Sequence, residues 1–339
     1  MSPMNRRLFM GAAAAASTLP SASLARAEPA WQASAPMPWV AQEIYCAELD
    51  GKVWVAGGLV RGRSGTLIND RTASYDPVAD SWTEGPRLPQ PRHHPMLVAA
   101  RRRVWVFGGY DRRDGGEWTA MKDVWALDRG DWAPVGQMPA FLCETVGLAL
   151  GDHIHLVTGR APKGTPNGKW NDQGDVATHL VFDASANRWH QARPAPMARN
   201  SAAGAVLDGK LHIAGGRTVE GGGTGRLDVY DPAADRWDTL APIPPSPTTG
   251  QQVGGGLAMV ETGGRLFAFG GEWFDGDGGV FAETWIYDPA RDVWSHGPDM
   301  KTPRHGLAGV QVGGQALAIA GGEVVSGGRA SARVEAIRL

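Results

Sequence analysis

Residues 30–38 read AWQASAPMP, and the same wording returns along the chain. It recurs as SWTEGPRLP (81–89), RWHQARPAPM (188–197), RWDTLAPIP (236–244) and VWSHGPDM (293–300), with a shortened copy, DWAPVGQMP, at 131–139. Each later copy closes a longer unit. The first has no such unit before it, so it reads as a displaced piece of a repeat.

The unit itself is defined by an apolar strand that ends in two glycines. It appears as VWVAGG (53–58), VWVFGG (104–109), LHIAGG (211–216), LFAFGG (266–271) and LAIAGG (317–322), with HLVTGR (155–160) as a sixth copy. The first glycines stand at 57, 108, 159, 215, 270 and 321, spaced by 51, 51, 56, 55 and 51 residues. Self-similarity at this period signals a repeat architecture. Downstream of each glycine pair except the last lies an aspartate turn such as SYDPVADSW (74–82) or VYDPAADRW (229–237). Upstream lie hairpin cues, LDGK at 49–52 and 207–210 and LGDH at 150–153. A short polar pair between apolar runs is a two-residue hairpin signal. Each unit therefore holds four strands: A before the hairpin, B ending in the glycines, C ending at the aspartate, and D beginning at tryptophan. Helical periodicity is absent.

Four-stranded units at about fifty-residue spacing are blades of a β-propeller. The order of glycine pair, tyrosine or its substitute, then tryptophan resembles the kelch family over nearly all of the chain after residue 27. The expected fold is all-β, a six-bladed propeller over residues 28–339. The sixth unit ends in ARVEAIRL (332–339) without a strand D. AWQASAPMP is the expected missing strand, closing the ring from the N-terminus and setting Trp31 beside Trp82, Trp132, Trp189, Trp237 and Trp294 in role.

Residues 1–27 read as a leader. NRRLFMG (5–11) carries the arginine pair Arg6–Arg7, an alanine-rich apolar stretch follows, and Ala25-Arg26-Ala27 fits a small-x-small cleavage pattern. Basic, apolar and small-residue regions in that order describe an export signal, here of the twin-arginine type. The expected location is periplasmic or secreted. Loss of Arg6, Arg7 and Arg26, with no acidic residue among them, would move the formal net charge from −2 to −5. That balance and the lack of a basic run exclude nonspecific nucleic-acid binding, and no later stretch has transmembrane length. Cys46 and Cys143 lie in strand A regions of blades one and three, so both read as unbridged thiols.

Chemistry is expected where strands A begin and strands B end, because a hairpin puts both on one face of the disc. After the glycines stand Leu59, Tyr110, Arg160, Arg217, Glu272 and Glu323. Before the A strands stand Glu43, Arg92, His93, His94, Glu144, Arg199, Asn200, Gln251, Gln252, Arg304 and His305. Arginine forks suit carboxylates, and glutamates accept from sugar hydroxyls. The expected ligand contacts are Arg92, His94, Tyr110, Arg160, Arg199, Arg217, Arg304 and His305. The long B–C segment of blade three, residues 160–178, is a candidate lid. His212 reads as a packing residue, and DGDGG (275–279) lacks the twelfth-position carboxylate of a calcium loop. No metal or other cofactor is expected.

Among kelch proteins, the chain resembles exported bacterial isomerases of sialic acid. They pair a glutamate directly after the strand-B glycine with an arginine six residues later. Glu323 and Arg329 in GGEVVSGGR (321–329) have that spacing, and Glu272 has the glutamate without the arginine. The resemblance implies a sialic acid mutarotase or epimerase with Glu272, Glu323 and Arg329 catalytic. Two other classes fit the residues. One is a noncatalytic module gripping a protein, peptide or polysaccharide outside the cytoplasm. The other, more remote, is a propeller like that of copper-radical oxidases such as galactose oxidase, without the domain that completes their metal site.

Overall fold

The computed structural model describes residues 29–62, 65–113, 115–323, 325 and 327–338. The leader read at residues 1–27 lies outside them. The described chain is β-structure apart from a single 3-10 turn at Trp170–Asp172. Six four-stranded antiparallel sheets follow one another, each in the order A-B-C-D. Blade one, for instance, is Cys46–Leu49, Lys52–Ala56, Thr72–Asp76 and Ser81–Glu84. Strands A lie innermost, each neighbouring the strand A of the blades on either side, and that of blade six (Ala308–Val312) neighbours that of blade one.

The sheet of blade six takes its outer strand from the N-terminal region. Gln32–Ser34 pairs antiparallel with Val334–Arg338, Gln32 opposite Ala336 and Ser34 opposite Val334. The tryptophans show why this strand is the equivalent of the others. The indole N–H of Trp82, Trp132, Trp237 and Trp294 donates to a carbonyl of the preceding blade, at Ala35, Pro86, Arg193 and Ala241. Trp31 does the same to Pro298 at 3.0 Å, and its ring packs edge-on to Phe269. The aspartate turns are used twice over. Asp76, Asp183, Asp231 and Asp288 accept from amides two residues on, capping their own turns. Asp80, Asp235 and Asp292 then take the hydroxyls of Tyr75, Tyr230 and Tyr287 together with an amide of the preceding blade.

The B–C connections are more ordered than expected of loops. In blades one, two, four and five they fold into short two-stranded ladders, such as Tyr110–Arg113 with Gly116–Ala120. In blade three the expected lid is mostly strand: His153–Pro162 and Gln173–Asp183 run on past the blade, with Arg160 opposite Asp175. The Arg160 guanidinium donates to the carbonyls of Trp170 and Gln173, which ties the segment down. Both cysteines are free thiols, and burial pushes each up to about 12.

Two predictions follow from this packing. Trp31 is 1 % exposed, so Trp31→Ala should cost about 3–5 kcal/mol in denaturant unfolding. Val78→Ala, at a position 96 % exposed, should change stability by under about 0.5 kcal/mol. The second concerns pH. His179 Nδ1 faces the Arg193 carbonyl, so it carries the proton, and His155 Nδ1 must donate to His179 Nε2 at 2.9 Å. Burial lowers His155 to about 3 and His179 to about 4, from an ordinary 6.5. Below 6.5 the unfolded chain binds protons that the folded one refuses. Stability should therefore fall as pH drops from 6.5 toward 4, by up to about 1.4 kcal/mol per unit per histidine. A melting temperature flat across that range in wild type, or a decline unchanged in His155→Phe, would contradict it.

Candidate active site at the propeller axis

Just before each inner strand the backbone turns left-handed. Glu43, His94, Glu144, Ser201, Gly256 and Gly306 all have φ between 48° and 69°. The amides of His94, Ser201, Gly256 and Gly306 donate to the carbonyls of Glu43, Glu144, Ser201 and Gly256 respectively, and Glu43 N donates to Gly306 O. A collar of five backbone hydrogen bonds 2.8–3.0 Å long thus runs from blade three through blades four, five, six and one to blade two. Four of the six residues are not glycine, and each such residue in this region costs about 1–3 kcal/mol unless its surroundings enforce it. Gly306 has its own reason: a Cβ there would lie 2.7 Å from the Glu43 carboxyl carbon.

The residues after the glycine pairs come to the same place, as single bridges join His93 to Tyr110, Cys143 to Arg160 and Asn200 to Arg217. The result is a charged cluster centred on three glutamates. Glu144, fully buried, accepts from Tyr110 Oη at 3.0 Å, Ser201 Oγ at 2.9 Å and Arg160 Nη1 at 3.2 Å. Arg217 spans two of the carboxylates, with Nη1 2.5 Å from Glu272 and Nη2 3.8 Å from Glu144. Glu43 meets His94 Nε2 at 2.9 Å. His305 Nε2 stands 3.4 Å from Glu272 Oε2 and 3.7 Å from Glu43 Oε1. Glu43, Glu272 and His305 each bring one ligand-type atom within 4.8 Å of the others.

Hydrogen-bond roles fix where the protons sit. His93 Nε2 is 2.7 Å from the Glu117 carbonyl and must donate to it. Burial, then the neighbouring His94, lower His93 to about 3, so it is neutral and its Nδ1 is bare. His94 Nδ1 therefore donates to His93 Nδ1 at 2.8 Å. His94 Nε2 then faces a carboxylate that needs a proton in the contact. Burial works against ionised Glu43, but His94, His305 and Arg217 outweigh it and hold Glu43 well below the usual range. The proton sits on His94, and the pair is imidazolium–carboxylate. Glu144 is also held low, burial again being outweighed by His94, Arg160, Arg217 and the Ser201 hydroxyl. Tyr110 and Tyr45 are pushed well above 10 by burial and by Glu144.

Six of the residues expected at the mouth are thus gathered: His94, Tyr110, Arg160, Arg217, Glu272 and His305. Arg92, Arg199 and Arg304 are elsewhere in effect. Their guanidiniums turn into their own blades, onto Asp123 at 2.7 Å, Asp228 at 2.7 Å and Glu335 at 3.0 Å, and none is more than 1 % exposed. Glu323 and Arg329 face each other across a short ladder on the rim, where Glu323 binds Arg333 at 2.8 Å. Glu43, Glu144 and Ser201, at the centre, were legible only as polar residues preceding strand A. Below the collar the inner strands line an apolar cavity of about 80 Å³, including Tyr45, Met96, Val146 and Leu257. The cluster is mostly sealed, with Glu43 17 % and Arg217 12 % exposed and Arg217 stacked under half-exposed Phe274.

Comparison with known proteins finds the same repeat elsewhere. A profile of the kelch motif matches residues 254–301. The chain is 25 % identical over 299 residues to a kelch-like protein, terF, of Aspergillus terreus, covering 84 % of the chain and 62 % of that protein. It is 25 % identical to kelch-like protein 35 of Mus musculus over 71 % of the chain, and to beta-scruin of Limulus polyphemus over 73 %. The chain spans 37 % and 26 % of the length of those two. The solved structure of YjhT superposes with a TM-score of 0.74 over 90 % of the chain and 96 % of its own, at 16 % identity, a likeness of fold. With its six repeats folded as blades of that architecture, the chain resembles kelch-repeat proteins and carries a kelch motif at residues 254–301.

Proposed function

We propose that this propeller binds a small sugar acid at the axial cluster and exchanges its anomers, as a sialic acid mutarotase or epimerase would. The kelch propeller fold supports a binding or interaction module; the finer reading rests on the cluster. The observation that carries it is the pairing of Glu43 with His94, a strained, half-sealed acid–base couple near the partly exposed Arg217. Ring opening of a sugar takes a proton from the anomeric hydroxyl and returns one to the ring oxygen. Glu43 is the acceptor nearest solvent, and His94 Nε2–H, backed by His93 and the Glu117 carbonyl, is the adjoining donor. Arg217 is the cation a substrate carboxylate would meet, and Phe274 offers an apolar wall to the sugar ring. Glu272 positions Arg217 in this scheme, while Glu323 and Arg329 on the rim bound the approach. The export signal read at residues 1–27 belongs to the same proposal and would put the protein in the periplasm or outside the cell. No helix among the described residues is long and apolar enough to cross a membrane.

Exchange NMR on N-acetylneuraminate anomers at micromolar protein tests this. Wild type should accelerate interconversion, and Glu43→Gln should slow it by about 10²-fold or more while saturation transfer still detects the bound sugar. Arg217→Gln should weaken binding instead. No acceleration by wild type removes the catalytic reading, and no binding of any sugar acid removes the ligand class.

A further inference from the structure

The carboxylates at the axis leave one arrangement that hydrogen bonding does not explain. His305 is fully buried, and its Nδ1 lies 3.1 Å from the Gly322 carbonyl, which can only accept. Nδ1 therefore carries a proton and donates it to that carbonyl. Nε2 faces Glu43 Oε1 and Glu272 Oε2, two acceptors, and makes no hydrogen bond.

We propose that Glu43, Glu272 and His305 bind a divalent first-row metal ion, Mn²⁺ or Zn²⁺. The separations fit. Nitrogen and oxygen ligands about 2.1 Å from an ion in tetrahedral array stand about 3.4 Å apart, against 3.4 and 3.7 Å here. Two carboxylates and a neutral imidazole match a double positive charge and the donor preferences of these ions. Each ligand is also held from behind, as metal ligands are. His94 holds Glu43 Oε2, Arg217 holds Glu272 Oε1, and Gly322 O holds His305 Nδ1. The Gly327 amide donates to Glu272 Oε2 at 3.2 Å. Gln42 Oε1, another buried acceptor without a hydrogen bond, rests with His305 against Gly322 and adds a neutral oxygen beside the site. The ligands come from blades one, five and six; the site shares Glu43 and Glu272 with the mutarotase reading but would hold its ion with no sugar present.

The test uses the full chain, stripped with EDTA and then titrated with MnCl₂, followed by EPR. One ion should bind per chain at micromolar concentration, pulsed EPR should show coupling to a single imidazole nitrogen, and ZnCl₂ should displace it. His305→Gln should weaken binding by 30-fold or more while its far-UV circular dichroism stays that of wild type. Should that variant fail to fold, the nitrogen coupling in wild type decides. Absence of Mn²⁺ binding at millimolar concentration, bound Mn²⁺ without nitrogen coupling, or undiminished binding by folded His305→Gln would each overturn the assignment.

Discussion

Every charged group at the axis is placed by a backbone that turns left-handed before each inner strand and passes hydrogen bonds from blade to blade. That turn reverses the direction in which successive side chains point. Arg92, Arg199 and Arg304, two residues upstream, run outward into the blades, whereas Glu43, His94 and Glu144 stand at the axis. Glycine at Gly256 and Gly306 thins the collar on one side, and the Glu43 carboxylate lies over the space this leaves. Neither feature is cheap. Four non-glycine residues sit in a costly conformation, and three carboxylates with two arginines are withdrawn from water. Buried ion pairs of this kind seldom add net stability, so their presence points to what the cluster does.

Tight packing outside the cluster makes its cost bearable. The repeating tryptophan and tyrosine–aspartate contacts join each blade to its predecessor, and the strand from Gln32 to Ser34 carries the same contacts into blade six. Arg–acid pairs inside blades two, four and six reinforce the frame: Arg92 with Asp123, Arg199 with Asp228, Arg304 with Glu335. A rigid frame is what holds donors and acceptors within tenths of an ångström, which proton transfer and metal binding both require.

The frame was legible in the sequence because its signals are local and repeated. Glycine pairs, aspartate turns and tryptophans recur at a fixed period, and AWQASAPMP matches the copies that form strand D. The site was legible only by neighbourhood. Position before strand A or after the glycines picked out His94, Tyr110, Arg160, Arg217, Glu272 and His305, which the fold brings together at the axis. It could not separate them from Arg92, Arg199 and Arg304, since which side of a left-handed turn a residue faces depends on φ, and glutamate or histidine does not announce a positive φ. A pairwise signal was available: each of those three arginines has an acid in strand C of its own blade. Likewise no metal motif can be read along the chain, because the three ligand atoms come from three blades and meet only at the axis.

Side-chain protonation at the axis is the most exposed part of this account, and ¹⁵N-histidine NMR reads it directly. Long-range ¹H–¹⁵N correlations of the EDTA-treated protein at neutral pH should show His93 as the Nε2–H tautomer, His94 protonated on both nitrogens, and His305 protonated on Nδ1. A neutral His94, or a His305 without a proton on Nδ1, would contradict the geometry on which both the acid–base couple and the ion site are built.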